Sequence, residues 1–299
     1  MKKIFIAGGS GMLGSAFYEV FKNDYNLKIT DKDLNDKWVD YLDFNNENEY
    51  KKMVNEFNPD FLFHIGALTD LEYCEKNIDL TYISNTISVE TAVNISNSLN
   101  IPLLYISTAG IFDGKKQTYD DWDTPNPINH YGRSKYNAEK FVIENSDKYI
   151  ICRAGWMMGG GKRKDKKFVS KIINQINKGN KEIFVVNDKL GTPTYTIDFA
   201  KNVKLLIENN ERGLFNLICD EETSRLEVAN FIISKLNLKN KIKITEVDSN
   251  FFKSEYFAKR PHSEILIPKR LKLKNLYTMR GWKESLTEYI DLYFNEDIK

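Results

Sequence analysis

Only three cysteines occur in 299 residues, and Cys74, Cys152 and Cys219 are far apart with no C-x-x-C or Cys/His spacing. Their pattern argues against a disulfide framework and a zinc centre, so three buried thiols in a reducing compartment and no metal site are expected. Net charge is nearly absent too. The 43 Lys and Arg against 42 Asp and Glu leave +1, so no overall field draws the chain to nucleic acid or to an acidic surface. Any anion must be bound locally. Long apolar runs are also missing: the first one ends at Gly8, too short for the apolar region of a signal peptide, and no later segment approaches a membrane span. A cytoplasmic protein with no membrane and no nucleic-acid partner is the expectation.

What is present is 41% apolar residues, enough for one large α/β domain or two lobes. Lys3 to Ala7 reads as a short strand, Gly8 to Gly14 as a turn, and Met12 to Phe21 as a helix with Leu13, Phe17, Val20 and Phe21 at helical spacing. Leu27 to Thr30 and Trp38 to Leu42 read as strands, ending at Asp31 and Asp43. A helix from Glu47 to Phe57 stops at Asn58-Pro59, and a strand follows to His64. A helix from about Tyr82 to Leu99 leads to the strand Leu103 to Ile106, and Tyr149 to Arg153 forms another strand. Strands apolar on both faces, alternating with helices, imply a parallel sheet covered on both sides. Beyond it the order becomes irregular, as in a smaller C-terminal lobe. There is no internal repeat and no low-complexity tract.

Gly8, Gly11 and Gly14 are spaced G-x-x-G-x-x-G between the first strand and the first helix. Gly8 permits the sharp turn, Gly11 lets backbone amides approach a pyrophosphate, and Gly14 lets the helix pack closely on the sheet. The helix N-terminus then presents unpaired amides and its positive dipole end to an anion. Asp31 lies 20 residues beyond Gly11, where a carboxylate accepts ribose hydroxyls and favours NAD over NADP. Lys32 would partly accommodate a 2′-phosphate. Asp43 is a second candidate at the adenine edge.

Tyr131 and Lys135 are four residues apart and share one face of a helix. A phenol with a neighbouring ammonium is expected to exchange its proton nearer neutral pH. Ser107-Thr108 ends a central strand, where open α/β sheets bind ligands, and Thr108 is suited to hold a carbonyl oxygen. Other polar groups have plainer readings. His64, alone in an apolar run, is expected to be a satisfied structural group. The run Lys162 to Lys167 after three glycines is expected to be a flexible solvated loop, with contact to a diphosphate as the alternative. Arg260, fixed beside Pro261, is suited to bidentate phosphate contact, with a surface salt bridge as the alternative.

In combination these residues resemble the extended short-chain dehydrogenase/reductases, and within them the dTDP-4-dehydrorhamnose reductase group. The likeness runs through Asn58-Pro59-Asp60, through His64 to Asp70 with Cys74-Glu75, and through Asn85-Thr86. It continues in Ile111 to Gly114, Arg153 with Trp156, Asp188 to Asp198, Arg260-Pro261 with Ser263, and Gly281-Trp282. The resemblance implies a Rossmann-like doubly wound parallel sheet over residues 1–155. A smaller α/β substrate lobe would occupy 156–299, with about 190–215 returning to the first domain.

It also implies reduction of a nucleoside-diphosphate 4-keto-6-deoxy sugar by NAD(H) or NADP(H), with Asp31 favouring NAD(H). Thr108, Tyr131 and Lys135 take the catalytic positions, Tyr131 as proton donor. Gly8, Ser10, Gly11, Met12, Leu13, Gly14, Asp31, Asp43, Phe44, Gly66, Ala67, Thr69, Tyr131 and Lys135 are the expected cofactor contacts. Thr108, Ala109, Gly110, Trp156 and Arg260 are the expected substrate contacts. The chain departs from the group at one place: where relatives usually read Ser-Thr-Asp-Tyr-Val-Phe, residues 107–112 read Ser-Thr-Ala-Gly-Ile-Phe. Ala109 and Gly110 remove a charge and a large ring that would face the hexose, which leaves the sugar and its nucleotide open.

Two other readings remain. A sugar-nucleotide epimerase would use the same three groups and return the hydride to its substrate. A non-catalytic subunit would bind NADP and a partner enzyme, a role against which the intact Tyr131/Lys135 pair argues. The apolar face of Leu286, Tyr289, Ile290 and Tyr293 is expected to pack on the body, with an oligomer face, as in a homodimer, as the alternative.

Overall fold

The computed structural model describes residues 1–294. Seven short strands form the central sheet: β1 (Lys3–Ala7), β2 (Asn26–Asp31), β3 (Val39–Tyr41), β4 (Phe61–His64), β5 (Leu103–Thr108), β6 (Tyr149–Ala154) and β7 (Gly213–Asn216). They are ordered β7-β6-β5-β4-β1-β2-β3, and every neighbouring pair is parallel. The chain winds outwards from β1 to β3, then crosses to β4 and winds the other way. The strand ends therefore diverge between β1 and β4, and ligands of doubly wound sheets bind at such a point.

The apolar character of both strand faces has a direct cause. Ile4 and Ile6 of β1 face a core that contains Phe17 and Phe21 of α1 (Met12–Phe21) and Phe199 of α5 (Thr196–Glu208). Phe5 and Ala7 face a second core with Tyr50 of α2 (Glu47–Phe57), Val89 of α3 (Ser88–Ser98) and Ala138 of α4 (His130–Asn145). Burying each large apolar side chain contributes about 1.5–3 kcal/mol, so the alternating contacts of the strands hold helices on both sides. The α/β class and the parallel sheet expected from the sequence are both present. All three cysteines are buried and unpaired. Among the described residues no helix is long and apolar enough to cross a membrane.

Two local expectations are corrected. The helix expected from Tyr82 to Leu99 is not uniform: a short helix Ile78–Tyr82 passes through a π-helical turn, Ile83–Ile87, before α3. The extra residue in that turn lets Asn85 and Thr86 reach other elements, a common use of π turns. The basic run after Gly161 is also no free loop. Gly161–Lys164 forms a helical turn, and Lys164 binds Ser15 and Asp36. Arg163 donates to Asn35 and Asp36, and Lys167 to Thr69. Carboxylate and carbonyl partners from distant segments fix cations that the sequence shows only as a charge run.

The remaining strands are short. A four-stranded sheet joins Thr223–Ser224, Leu190–Gly191, Ser263–Leu266 and Thr118–Tyr119 in that order. Trp156–Met158 pairs with Pro193–Tyr195, and Glu182–Val186 with Lys243–Val247. α5 packs on α1, and β7 extends the main sheet beside β6. The last two long helices are α6 (Arg225–Lys235) and α7 (Trp282–Tyr293). α7 buries Trp282, Leu286, Tyr289 and Ile290 in the first core and leaves Leu292 and Tyr293 exposed.

Candidate active site

The glycine turn stands at the switch point. Gly8 has φ +83°, and a Cβ there would lie 2.1 Å from the Gly66 Cα, so β1 and the segment after β4 approach backbone to backbone. A Cβ on Gly14 would lie 1.9 Å from the Gly9 carbonyl oxygen. Gly11 is different, because a Cβ there would meet nothing within 4 Å. It precedes α1 with no side-chain cap, so the helix N-terminus is entered by a residue whose side-chain direction is open and empty. That is the cradle a pyrophosphate needs.

Asp31 closes β2 below the turn. Its Oδ2 accepts the Ser10 amide at 3.0 Å and its Oδ1 the Asp33 amide at 3.2 Å. Lys32 is tied to Asp43 at 2.8 Å, and Asp43 also accepts the Asn45 amide. Phe44 lies edge-on to His64, with ring centroids 5.1 Å apart, and its ring is what a Cβ on Gly66 would meet. Met12 and Leu13 open α1, with Leu13 buried in the core. Thr69 accepts from Lys167, next to Ala67 in the same segment. His64 itself is buried between the Tyr50 hydroxyl and the Ser88 hydroxyl, each 3.2 Å from a ring nitrogen. Burial, aided by the charge of Lys135, drives its pKa down to about 3, so it stays a neutral structural group.

Thr108, Tyr131 and Lys135 come together at the carboxyl end of β5. Asn129 caps α4 by accepting the Gly132 amide at 2.7 Å, which sets the first turn where Tyr131 lies. Asn85, from the π turn, accepts the Leu68 amide at 2.8 Å and donates to Ser134 at 3.1 Å. Thr86 donates to the Ser134 carbonyl at 2.8 Å. These bonds pin α4 to the segment after β4, so the residues beside the glycine turn and those on α4 keep a fixed spacing. Lys135 is only 4% exposed, and its ammonium sits 4.3 Å from the centre of the Tyr105 ring.

The electrostatics differ from the expectation. Burial pushes the Tyr131 phenol up to about 12, and a hydrogen bond from Thr108 only partly opposes it. Burial also brings Lys135 down to about 7, against the attraction of Glu139. An acidic phenol beside a full ammonium is therefore not what this geometry produces. Loss of solvent, which spacing cannot reveal, outweighs the pairing of opposite groups.

On the substrate side, Ala109 packs in a small core with Ile111, Phe112 and Leu266, so its methyl group is a packing element. Gly110 faces the candidate site: a Cβ there would lie 3.5 Å from the Thr108 hydroxyl and 3.6 Å from Tyr131 Cε1. Trp156 is held by its indole N–H, which donates to Glu264 at 2.8 Å, and by the Arg225 guanidinium 3.6 Å from its ring centre. Arg260 makes its bidentate contact with Glu72, at 2.7 and 2.8 Å. A carboxylate of the chain thus takes the place expected for phosphate, and the salt bridge is the reading that the geometry supports. Arg225 and Glu264 are polar groups at this site that sequence reasoning missed. The only local signal was a glutamate inside the apolar stretch Ser263 to Ile267.

The comparisons with known proteins agree with this geometry. The spore coat polysaccharide biosynthesis protein SpsK of Bacillus subtilis is 26% identical, with 97% of each chain covered. The crystal structure of a dTDP-4-dehydrorhamnose reductase from Clostridium acetobutylicum is 32% identical with a TM-score of 0.87, covering 97% of this chain and 99% of that one. A dTDP-4-dehydrorhamnose reductase from Bacillus anthracis, solved in complex with NADP, is 31% identical with a TM-score of 0.88 and the same coverage. The family model for the RmlD substrate binding domain matches residues 1–294. With the fold, the glycine turn and the Thr108, Tyr131 and Lys135 cluster in place, the chain belongs to the RmlD substrate binding domain family.

Proposed function

We propose that this chain reduces a nucleoside-diphosphate 4-keto-6-deoxy sugar with NAD(P)H. The observation that carries the reading is the meeting of Thr108, Tyr131 and Lys135 at the end of β5, beside an α1 N-terminus left open at Gly11. The similar reductases, one of them an NADP complex, support the cofactor class and the substrate class. The bound nicotinamide would supply the hydride; the chain supplies position and a proton. Met12 and Leu13 start the helix whose amides would hold the pyrophosphate, while Asp43, Phe44, Gly66, Ala67 and Thr69 would line the adenosine and nicotinamide halves.

A reduction needs an acid at the carbonyl oxygen, and a phenol raised to about 12 keeps its proton at neutral pH. Tyr131 then gives that proton to the developing alkoxide, which Thr108 orients. Lys135, near 7, exchanges protons readily in the same pH range and stands one helical turn from the phenol. Trp156 would bound the sugar. NADH is the favoured cofactor, because Asp31 holds a negative charge where a 2′-phosphate would lie and Lys32 is engaged by Asp43.

The test is a screen of 4-keto-6-deoxy sugars on dTDP, UDP, GDP and CDP, following loss of NADH or NADPH absorbance. One of them is expected to turn over, and Tyr131→Phe to lower kcat by about 10²- to 10⁴-fold. Turnover that survives this substitution would overturn the assigned proton donor.

A further inference from the structure

Gly110 is buried, and the atoms that a side chain there would touch include a carboxylate as well as the groups of the candidate site. A Cβ at Gly110 would lie 3.5 Å from Glu264 Oε1, as near as it would lie to the Thr108 hydroxyl. Glu264 belongs to the strand Ser263–Leu266, whose neighbours Ser263, Ile265 and Leu266 are buried, so the strand is fixed and the carboxylate is held out from it. Its Oε2 is engaged by the Trp156 indole. No hydrogen bond from the described residues reaches Oε1. A carboxylate from the far end of the chain thus stands beside position 110, where the relatives carry a neutral ring.

A carboxylate only accepts hydrogen bonds, and Glu264 retains unused acceptor positions beside the groups that would hold the carbonyl. In a 4-keto-6-deoxy sugar the carbons flanking the carbonyl are C3 and C5, and C5 carries only hydrogen and the methyl group besides the ring. C3 alone can present a donor. We propose that Glu264 is the specificity-determining residue of this site, its Oε1 accepting a hydrogen bond from a hydroxyl or amino group at C3 of the sugar.

The inference rests on the reductase reading for the location of the carbonyl. Its substrate class is accordingly narrower: 4-keto sugar nucleotides that retain a free donor at C3. Arg225 stacks on Trp156 and keeps the indole, and through it the carboxylate, in position.

The experiment is calorimetric titration of the whole protein, without NAD(P)H, with 4-keto-6-deoxyglucose and its 3-deoxy counterpart, each carried on dTDP, UDP, GDP and CDP as in the screen. Wild type is expected to bind the 3-hydroxy form about 10- to 100-fold more tightly, the range for a hydrogen bond to a charged group. Glu264→Ala should reduce that ratio to within about threefold of unity, and Glu264→Gln, which keeps an acceptor, should retain part of it. With the 3-amino sugar, Glu264→Gln should lose as much as Glu264→Ala, which separates an ammonium donor from a hydroxyl.

Equal binding of both sugars by wild type, or an unchanged ratio in Glu264→Ala, overturns the assignment and leaves the reductase reading standing. Discrimination in binding without reduction of any sugar in the screen overturns the reductase reading alone. Failure of wild type to bind either sugar on any of the four nucleoside diphosphates overturns both.

Discussion

Lys135→Met is expected to stabilise the protein near neutral pH while it removes a group of the proposed mechanism. Lys135 is 4% exposed and its pKa is brought from 10.5 to about 7 by burial. At about 1.4 kcal/mol per pKa unit, keeping the ammonium folded costs roughly 5 kcal/mol wherever it is charged in both states. The folded pKa lies below the unfolded one. The cost is therefore complete below about pH 7, shrinks between about 7 and 10.5, and is absent above 10.5. Methionine keeps most of the aliphatic stem but loses the ammonium contact with the Tyr105 ring, a loss of about 1–2 kcal/mol.

The net expectation is a variant more stable by roughly 3 kcal/mol near pH 6.5 and by only about 1 kcal/mol near pH 9.5, where the folded amine is already neutral and has no ammonium contact to lose. Urea denaturation of both proteins at the two pH values measures it. A stability difference that does not change with pH would refute the argument, because only titration of the buried amine links the two. The gain would accompany a large loss of activity, as for a strained functional group held against its solvation preference.

The glycine turn separates a folding role from a binding role. Gly14→Ala should destabilise the fold by more than about 2 kcal/mol in thermal or urea denaturation, because its Cβ would overlap the Gly9 carbonyl. Gly11→Leu should leave stability within about 1 kcal/mol, since its side chain enters open space, yet weaken NADH binding about tenfold or more by fluorescence titration. For cofactor choice, Asp31→Asn should move the ratio of NADPH to NADH in kcat/KM towards NADPH by about tenfold; an unchanged ratio would remove Asp31 from cofactor choice.

Much of the fold was legible because its signals are local. Strands such as Leu103 to Ile106 have apolar residues on both faces, and only a sheet with helices on both sides buries them. The glycine spacing and the Tyr131/Lys135 pair were equally visible, since each lies within a turn or two of chain. What escaped depends on residues far apart. Arg260 finds Glu72 188 positions away, Trp156 finds Glu264 108 away, and Arg163 finds Asp36 127 away. No periodicity specifies such partners. The π turn at Ile83–Ile87 is hidden in the same way, because its sequence remains helical in character. Loss of solvent around the Tyr131 hydroxyl and burial of Lys135 are further tertiary quantities, and they raise the phenol's pKa where pairing with an ammonium was expected to lower it.

The central claim is a hydride delivered to a sugar carbonyl while Tyr131 supplies the proton. Its most direct measurement uses nicotinamide deuterated at C4 together with the 4-keto-6-deoxy sugar nucleotide that the screen identifies, followed by mass spectrometry and proton NMR of the product sugar. The account predicts one deuterium, located at C4 of a 4-hydroxy product, with stoichiometric oxidation of the cofactor. An isomerised sugar without deuterium and without net oxidation of the cofactor would contradict it.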